Sequence, residues 1–311
     1  MTKEKFKGFK RFGKVLLKSS KEYKRHDPVR LAGTLAFWTI FALPPILIII
    51  ISIGGFFIGP EDFGDKVYDE LNSLIGSQGT QTVRDIVKSY SSMERNVAGT
   101  IFGIIIFLMA SSTFFVTIQN ALNTIWQVKP KPVHNFLKFL QDRLLSFGMI
   151  ISIGFLFLVS LMIDVAVALV SNHLSEVQPV VINILVRALH FIVTFGLEWL
   201  VFASIFKLLP DAKVKWRVVW VGAAVTALLF TVGKYLIGFG LGQSNLGSMY
   251  GAAGSVVILL LWVFYSALIL FFGGEITKQY AAMIDKRIEP KDHAVLIETR
   301  EVEQSDSGSS G

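Results

Sequence analysis

The run LAGTLAFWTIFALPPILIIIISIGGFFI, residues 31–58, carries no charged side chain over 28 positions. About 20 helical residues, at a rise of 1.5 Å each, cross a hydrocarbon core of about 30 Å. The run is longer than one crossing needs. In lipid a backbone must satisfy its own amides, and for a single segment that means a helix. Pro44 and Pro45 fall mid-run and remove two donors, which predicts a kink or break there.

Residues 1–30 precede this run with eleven Lys/Arg against three acids, Glu4, Glu22 and Asp27. Phe6, Phe9, Phe12, Leu16, Leu17 and Tyr23 recur among them at roughly helical spacing. That pattern predicts a basic amphipathic helix on a membrane surface, with anionic lipid headgroups as its partners. After the run, residues 59–96 form a long acidic connection. Val67, Leu71, Leu74 and Ile75 make one helical stripe in it; Val83, Ile86, Val87 and Tyr90 make another. Two short amphipathic helices at the extracytoplasmic membrane face are expected.

Five more charge-poor stretches follow: residues 97–126, about 144–170, about 188–206, 218–240 and 252–274. The fold class is therefore all-α, a polytopic membrane protein with six transmembrane helices and interfacial amphipathic helices. Residues 31–275 form the transmembrane domain and residues 276–311 a polar tail. Charged residues make up 17% of the chain, below the roughly 25% of soluble domains. Of the 30 Lys/Arg, 24 lie in the N-terminal segment, the loops after the second and fourth spans, and the tail. Positive loops stay in the cytoplasm, so both termini are expected there. The net charge of +7 then reflects topology, and no nucleic-acid partner is needed to explain it. The first apolar run is too long for a cleaved signal peptide.

Ionisable groups at membrane depth are costly and call for a reason. Glu198 lies near the middle of the fourth span, with His190 and Thr194 on the same helical face. Asp164 and Lys234 fall at similar depth in the third and fifth spans, and pair or line a cavity. Glu275 closes the sixth span. The second span carries Thr113, Thr117, Asn120 and Thr124 as a stripe, with Gln119 and Asn123 beside it. These six groups bond neighbouring helices or line a wet cavity. Gly238 with Gly242, and Gly247 with Gly251, are small-xxx-small pairs that let backbones approach.

The chain has no cysteine, so it has neither a disulfide nor a thiolate metal site. Its five histidines show no ligand spacing, and no nucleotide-binding P-loop or nucleophile elbow is present. No catalytic activity, cofactor or metal is expected.

Tyr250–Ala281, YGAAGSVVILLLWVFYSALILFFGGEITKQYA, resembles the hallmark segment of the YihY/BrkB family of bacterial inner-membrane proteins. The first span, NALNTIWQVKPK (residues 120–131) and LPDAKVKWRVVWVGAAV (residues 209–225) are similar to other segments of that family. The likeness covers about residues 30–285. It implies six helices with both termini inside the bacterial inner membrane, and it puts weight on Pro44, Pro45, Tyr250, Gly251, Gly254 and Glu275. Phe264 and Gly273-Gly274 depart from the family's Tyr and Gly-Ala. Family members have carried a ribonuclease BN label, for which this sequence shows no chemistry. Others are linked to serum resistance or to export of lipid precursors. The leading expectation is a transporter or lipid-translocating protein of the envelope. An ion- or proton-coupled solute carrier, and a non-transporting scaffold with envelope protein partners, are the alternatives.

Overall fold

The structure, a computed structural model, describes residues 2–91, 97–131, 179–242, 254–284 and 288–298, with scattered helical positions between 144 and 159. Seven long helices carry most of it. They are α1 (Thr2–Arg25), α2 (Pro28–Ile58), α3 (Pro60–Ser91), α4 (Val97–Ile125), α5 (Pro179–Leu208), α6 (Trp216–Gly242) and α7 (Gly254–Met283). Four segments among the described residues are long and apolar enough to cross a membrane: Pro28–Phe57, Phe191–Leu208, Trp216–Ile237 and Val256–Met283. The expected third span lies largely outside the described residues, as do Asp164, Tyr250, Gly251 and most of the glycine-rich turn before α7.

Pro28 opens α2, where a missing amide costs nothing. Of the kink or break expected at Pro44-Pro45, the break does not occur: α2 stays helical through both prolines. Its carbonyls around the pair lose two partners, yet the chain on either side remains in one helix packed against α3, α4 and α7. Tertiary packing outweighs the local cost of about 3 kcal/mol for a proline.

The acidic connection does form two helices. They meet inside α3 at Gly76, whose φ of 76° and ψ of 170° are not helical and suit a residue without a Cβ. The halves fold back on one another: Arg84 Nη2 donates to Asp65 Oδ1 at 2.6 Å and lies over the Tyr68 ring. Phe63, Val67, Val83 and Val87 are buried. α3 thereby packs against α2, α6 and α7 through these buried residues.

α7 is the centre of the assembly and touches α1, α2, α3, α4 and α6. Its contact with α6 is reciprocal. A Cβ on Gly222 would overlap Thr277, and one on Gly273 would overlap Thr226. Each threonine hydroxyl is satisfied by the glycine carbonyl one turn earlier on its own helix, at 2.8 Å. Sequence reading placed close approach at Gly238, Gly242, Gly247 and Gly251, whose contacts lie outside the described residues; among the described contacts it occurs at Gly222 and Gly273.

At one end of the bundle the tail returns to the loops. Strand β1 (Val128–Pro130) pairs antiparallel with β4 (Ala294–Leu296), and β2 (Ala212–Lys213) with β3 (Glu289–Pro290). These short ladders depart from the all-helical expectation. They arise because extended loop backbone needs partners wherever it is shielded from water. Lys213 Nζ adds a 2.6 Å bond to Asp292 Oδ1. The Lys213 hydrogen bond and charge hold that carboxyl below its ordinary range.

Candidate functional site

α5 and α6 lie side by side and bring two of the predicted membrane-depth charges together. Lys234 Nζ sits 3.0 Å from Glu198 Oε1, while Thr231 Oγ1 donates to Glu198 Oε2 at 2.7 Å. The side chains remain 19% and 14% exposed. Lys234 is thus paired with Glu198, while Asp164, its expected partner, lies outside the described residues. A flexible four-carbon stem lets the ammonium reach a carboxylate on the adjacent helix. Thr194 lies partly buried one turn before Glu198. His190 stands on the same helix, but its side chain is outside the described residues.

The polar stripe of α4 divides into two sets. Thr113, Thr117 and Thr124 turn back to carbonyls one turn earlier on their own helix, at 2.6–2.8 Å, as hydroxyls in helices do. They need no cavity. Asn120 is exposed and lines a cleft. Gln119 and Asn123 instead reach a buried carboxylate that the sequence reading passed over, Asp211. Asn123 Nδ2 donates to Asp211 Oδ2 at 2.8 Å and Gln119 Nε2 at 3.2 Å. The Asp211 amide donates back to Asn123 Oδ1 at 2.9 Å. His293 Nε2 lies 2.7 Å from Asp211 Oδ1, and the Lys291 amide donates to the Asp211 carbonyl. One aspartate thereby joins α4, the loop before α6 and the tail. The sequence held a signal for it: Asp211 is the only acid between Glu198 and Glu275.

Glu275 is fully buried on α7. Gln279 Nε2 donates to its Oε1 at 2.6 Å, and Oε2 has no hydrogen-bond partner among the described residues. His26 Nε2 lies 3.6 Å from that free oxygen. Lys278, one turn on, is committed elsewhere: its Nζ donates to the Ile125 carbonyl at 2.8 Å. Trp126 Nε1 donates to the Gly274 carbonyl at 2.9 Å, clamping the end of α4 against this turn. Gly254, another weighted position, is buried in the first turn of α7.

α1 brings His26 here. It is helical, as expected, and docks along α7 through Val15, Ser19 and Tyr23, while Leu17 stays exposed. Tyr23 donates to the Leu268 carbonyl at 2.8 Å and packs on Phe272. Burial pushes its phenol pKa up. Burial and the nearby Lys278 charge hold the His26 imidazole below its ordinary value of 6.5, against an opposing pull from Glu22. His26 borders two adjoining clefts. One, of about 530 Å³, is lined also by Glu22, Arg25, Asp27, Arg30, Thr124 and Gln127. The other, of about 370 Å³, includes Asn120, Asn123 and Lys129. Among the described residues no cluster of three or more His, Asp or Glu is arranged to hold a metal ion.

The family described as Virulence factor BrkB matches residues 19–297. A UPF0761 membrane protein of Psychromonas ingrahamii is 28% identical over 256 residues, covering 79% of this chain and 80% of the relative. One from Vibrio campbellii is 27% identical over 290 residues, covering 91% and 87%. A longer relative from Rhodospirillum centenum is 28% identical over 253 residues, and there the match spans only 53% of the relative's length. No solved structure matches the chain.

Proposed function

The chain belongs to the BrkB family of membrane proteins, and from that premise we propose that it is a transporter that moves an amphiphile, a phospholipid or lipid precursor, through the bacterial inner membrane. Six crossings with both termini in the cytoplasm fit this reading, because the basic residues gather at the end where α1, two loops and the tail meet. The observation that carries it is the Glu198–Lys234 pair. Two opposite charges are held at membrane depth, hydrogen-bonded to Thr231, and left partly exposed. A zwitterionic or anionic headgroup can exchange with such a pair while its acyl chains stay in the bilayer. No catalytic step and no cofactor is part of the proposal.

The test is a reconstituted vesicle carrying a labelled phospholipid. Wild-type protein should move label between leaflets faster than protein-free vesicles. Glu198→Gln should slow it about tenfold, as about 1.4 kcal/mol on a barrier does. Movement no faster than in empty vesicles rejects lipid translocation. Flux of protons or small ions without lipid movement would point to a coupled solute carrier instead.

A second reading has its own support. Gln119, Asn123, Asp211 and His293 satisfy one another internally, as they would in a scaffold that holds envelope partners and transports nothing. Crosslinking that captures a stable envelope protein, together with silent vesicles, would favour it.

A further inference from the structure

Glu275 Oε2 is a wholly buried carboxyl oxygen without a hydrogen bond, and such an atom calls for an explanation. An ionised carboxylate buried without a cation is strongly unfavourable. Arg25 pairs with Glu22 at 3.1 Å and Arg30 with Asp27 at 2.9 Å, while Lys18 and Lys278, the latter bonded to a backbone carbonyl, act on the carboxyl through their charge without an ion-pair contact. Among the described residues the group within ion-pair range of Oε2 is His26 Nε2, 3.6 Å away. We propose that Glu275 and His26 form a proton-binding site, with one proton on Oε2 directed at Nε2 and reached from solvent through the clefts that His26 borders.

In this arrangement Oε1 accepts from Gln279, and the Oε2 proton faces the imidazole across 3.6 Å, so a neutral acid replaces a buried unpaired charge. A hydronium ion entering by the cleft gives its proton to Nε2 and leaves as water; the imidazolium passes the proton to Oε2, so that neutral histidine and neutral acid remain. The depressed basicity of His26 supports its part as a neutral acceptor. The groups that set the local field are Lys18 and Glu22 on α1, Lys278 on α7, and Arg25, Asp27 and Arg30 around the cleft mouth. The site ties α1 to α7, so proton occupancy fixes the docking of the N-terminal helix. This inference stands apart from the transport proposal, since a proton can be bound whether or not a lipid moves.

Infrared spectra of the full chain in lipid vesicles at pH 7 test it. A carbonyl band of a protonated carboxylic acid should be present, vanish in Glu275→Gln, and shift in His26→Phe as its polar neighbour is lost. Identical spectra of wild type and Glu275→Gln in that region, meaning an ionised Glu275, overturn the proposal. Glutamine copies the neutral acid in shape, so the variant should fold with α1 docked. The absence of native cysteine allows a direct check: a thiol placed by Ser19→Cys, at a fully buried position, should stay protected in Glu275→Gln. Labelling at the rate of a free thiol there would equally reject the site.

Discussion

Two glutamates of this chain sit in apolar helices, and their surroundings are opposite. Glu198 on α5 has a lysine, a threonine hydroxyl and some exposure. Glu275 on α7 has a glutamine, a neutral-leaning histidine and no exposure at all. The same side chain is half of an ion pair in one place and, in the other, feels Lys18 and Lys278 without an ion-pair contact to either. What decides is whether a cation on the neighbouring helix reaches the carboxylate.

Cutting the ion pair should give the largest effect that breaks or sharpens this contrast. Lys234→Met leaves Glu198 with one hydroxyl, and loss of one partner from a mostly buried pair costs about 3–5 kcal/mol. Thermal denaturation in detergent should show it, and the double change Glu198→Gln with Lys234→Met should recover most of the loss. Equal instability of the double and single variants would mean the two residues do not act as a pair. Asp211→Ala comes next. It strands Gln119, Asn123 and His293 and should destabilise by about 3 kcal/mol, on the scale of charged hydrogen bonds. Proteolysis of the tail should accelerate in parallel. Glu275→Gln should cost less than about 1 kcal/mol in the same melt, because glutamine keeps the shape and adds no charge; a loss as large as that of Lys234→Met would erase the contrast.

The smallest effect concerns pH. His26 has a folded-state pKa below its ordinary 6.5. Between the two values the unfolded chain binds the extra proton, so stability rises with pH there and falls as pH drops below about 6.5. The slope of denaturation midpoint against pH in that window should flatten in His26→Gln. An unchanged slope would show that this imidazole does not couple to folding.

The helices were legible because apolar run length is a local property. Residues 31–58 read as helical from their own composition, and the two stripes of residues 59–96 read as two helices, although the glycine at 76 that parts them was not singled out. Partner choice was not legible. Lys234 lies 36 positions from Glu198 and Asn123 lies 88 from Asp211, and nothing in their spacing announces a contact that only helix packing creates. The tail illustrates the same limit. Its strand partners are fewer than 80 and more than 160 residues away, Lys213 for Glu289 and Val128 for Leu296, so it read only as polar. At Pro44-Pro45 local chemistry pointed to a break, and packing against three other helices prevailed. The family likeness did single out Glu275 in advance, while its surroundings had to await the fold.

The crossed contact between α6 and α7 has a mechanical consequence. Each helix offers a notch at a glycine and a peg at the threonine four residues on, and the two pegs lock into opposite notches. Sliding one helix by a turn would drive both pegs into side chains at once. Tilting about the crossing point leaves them seated. Whatever motion the bundle makes at this seam is therefore a pivot and not a piston stroke, and bulk introduced at Gly222 or Gly273 should jam it.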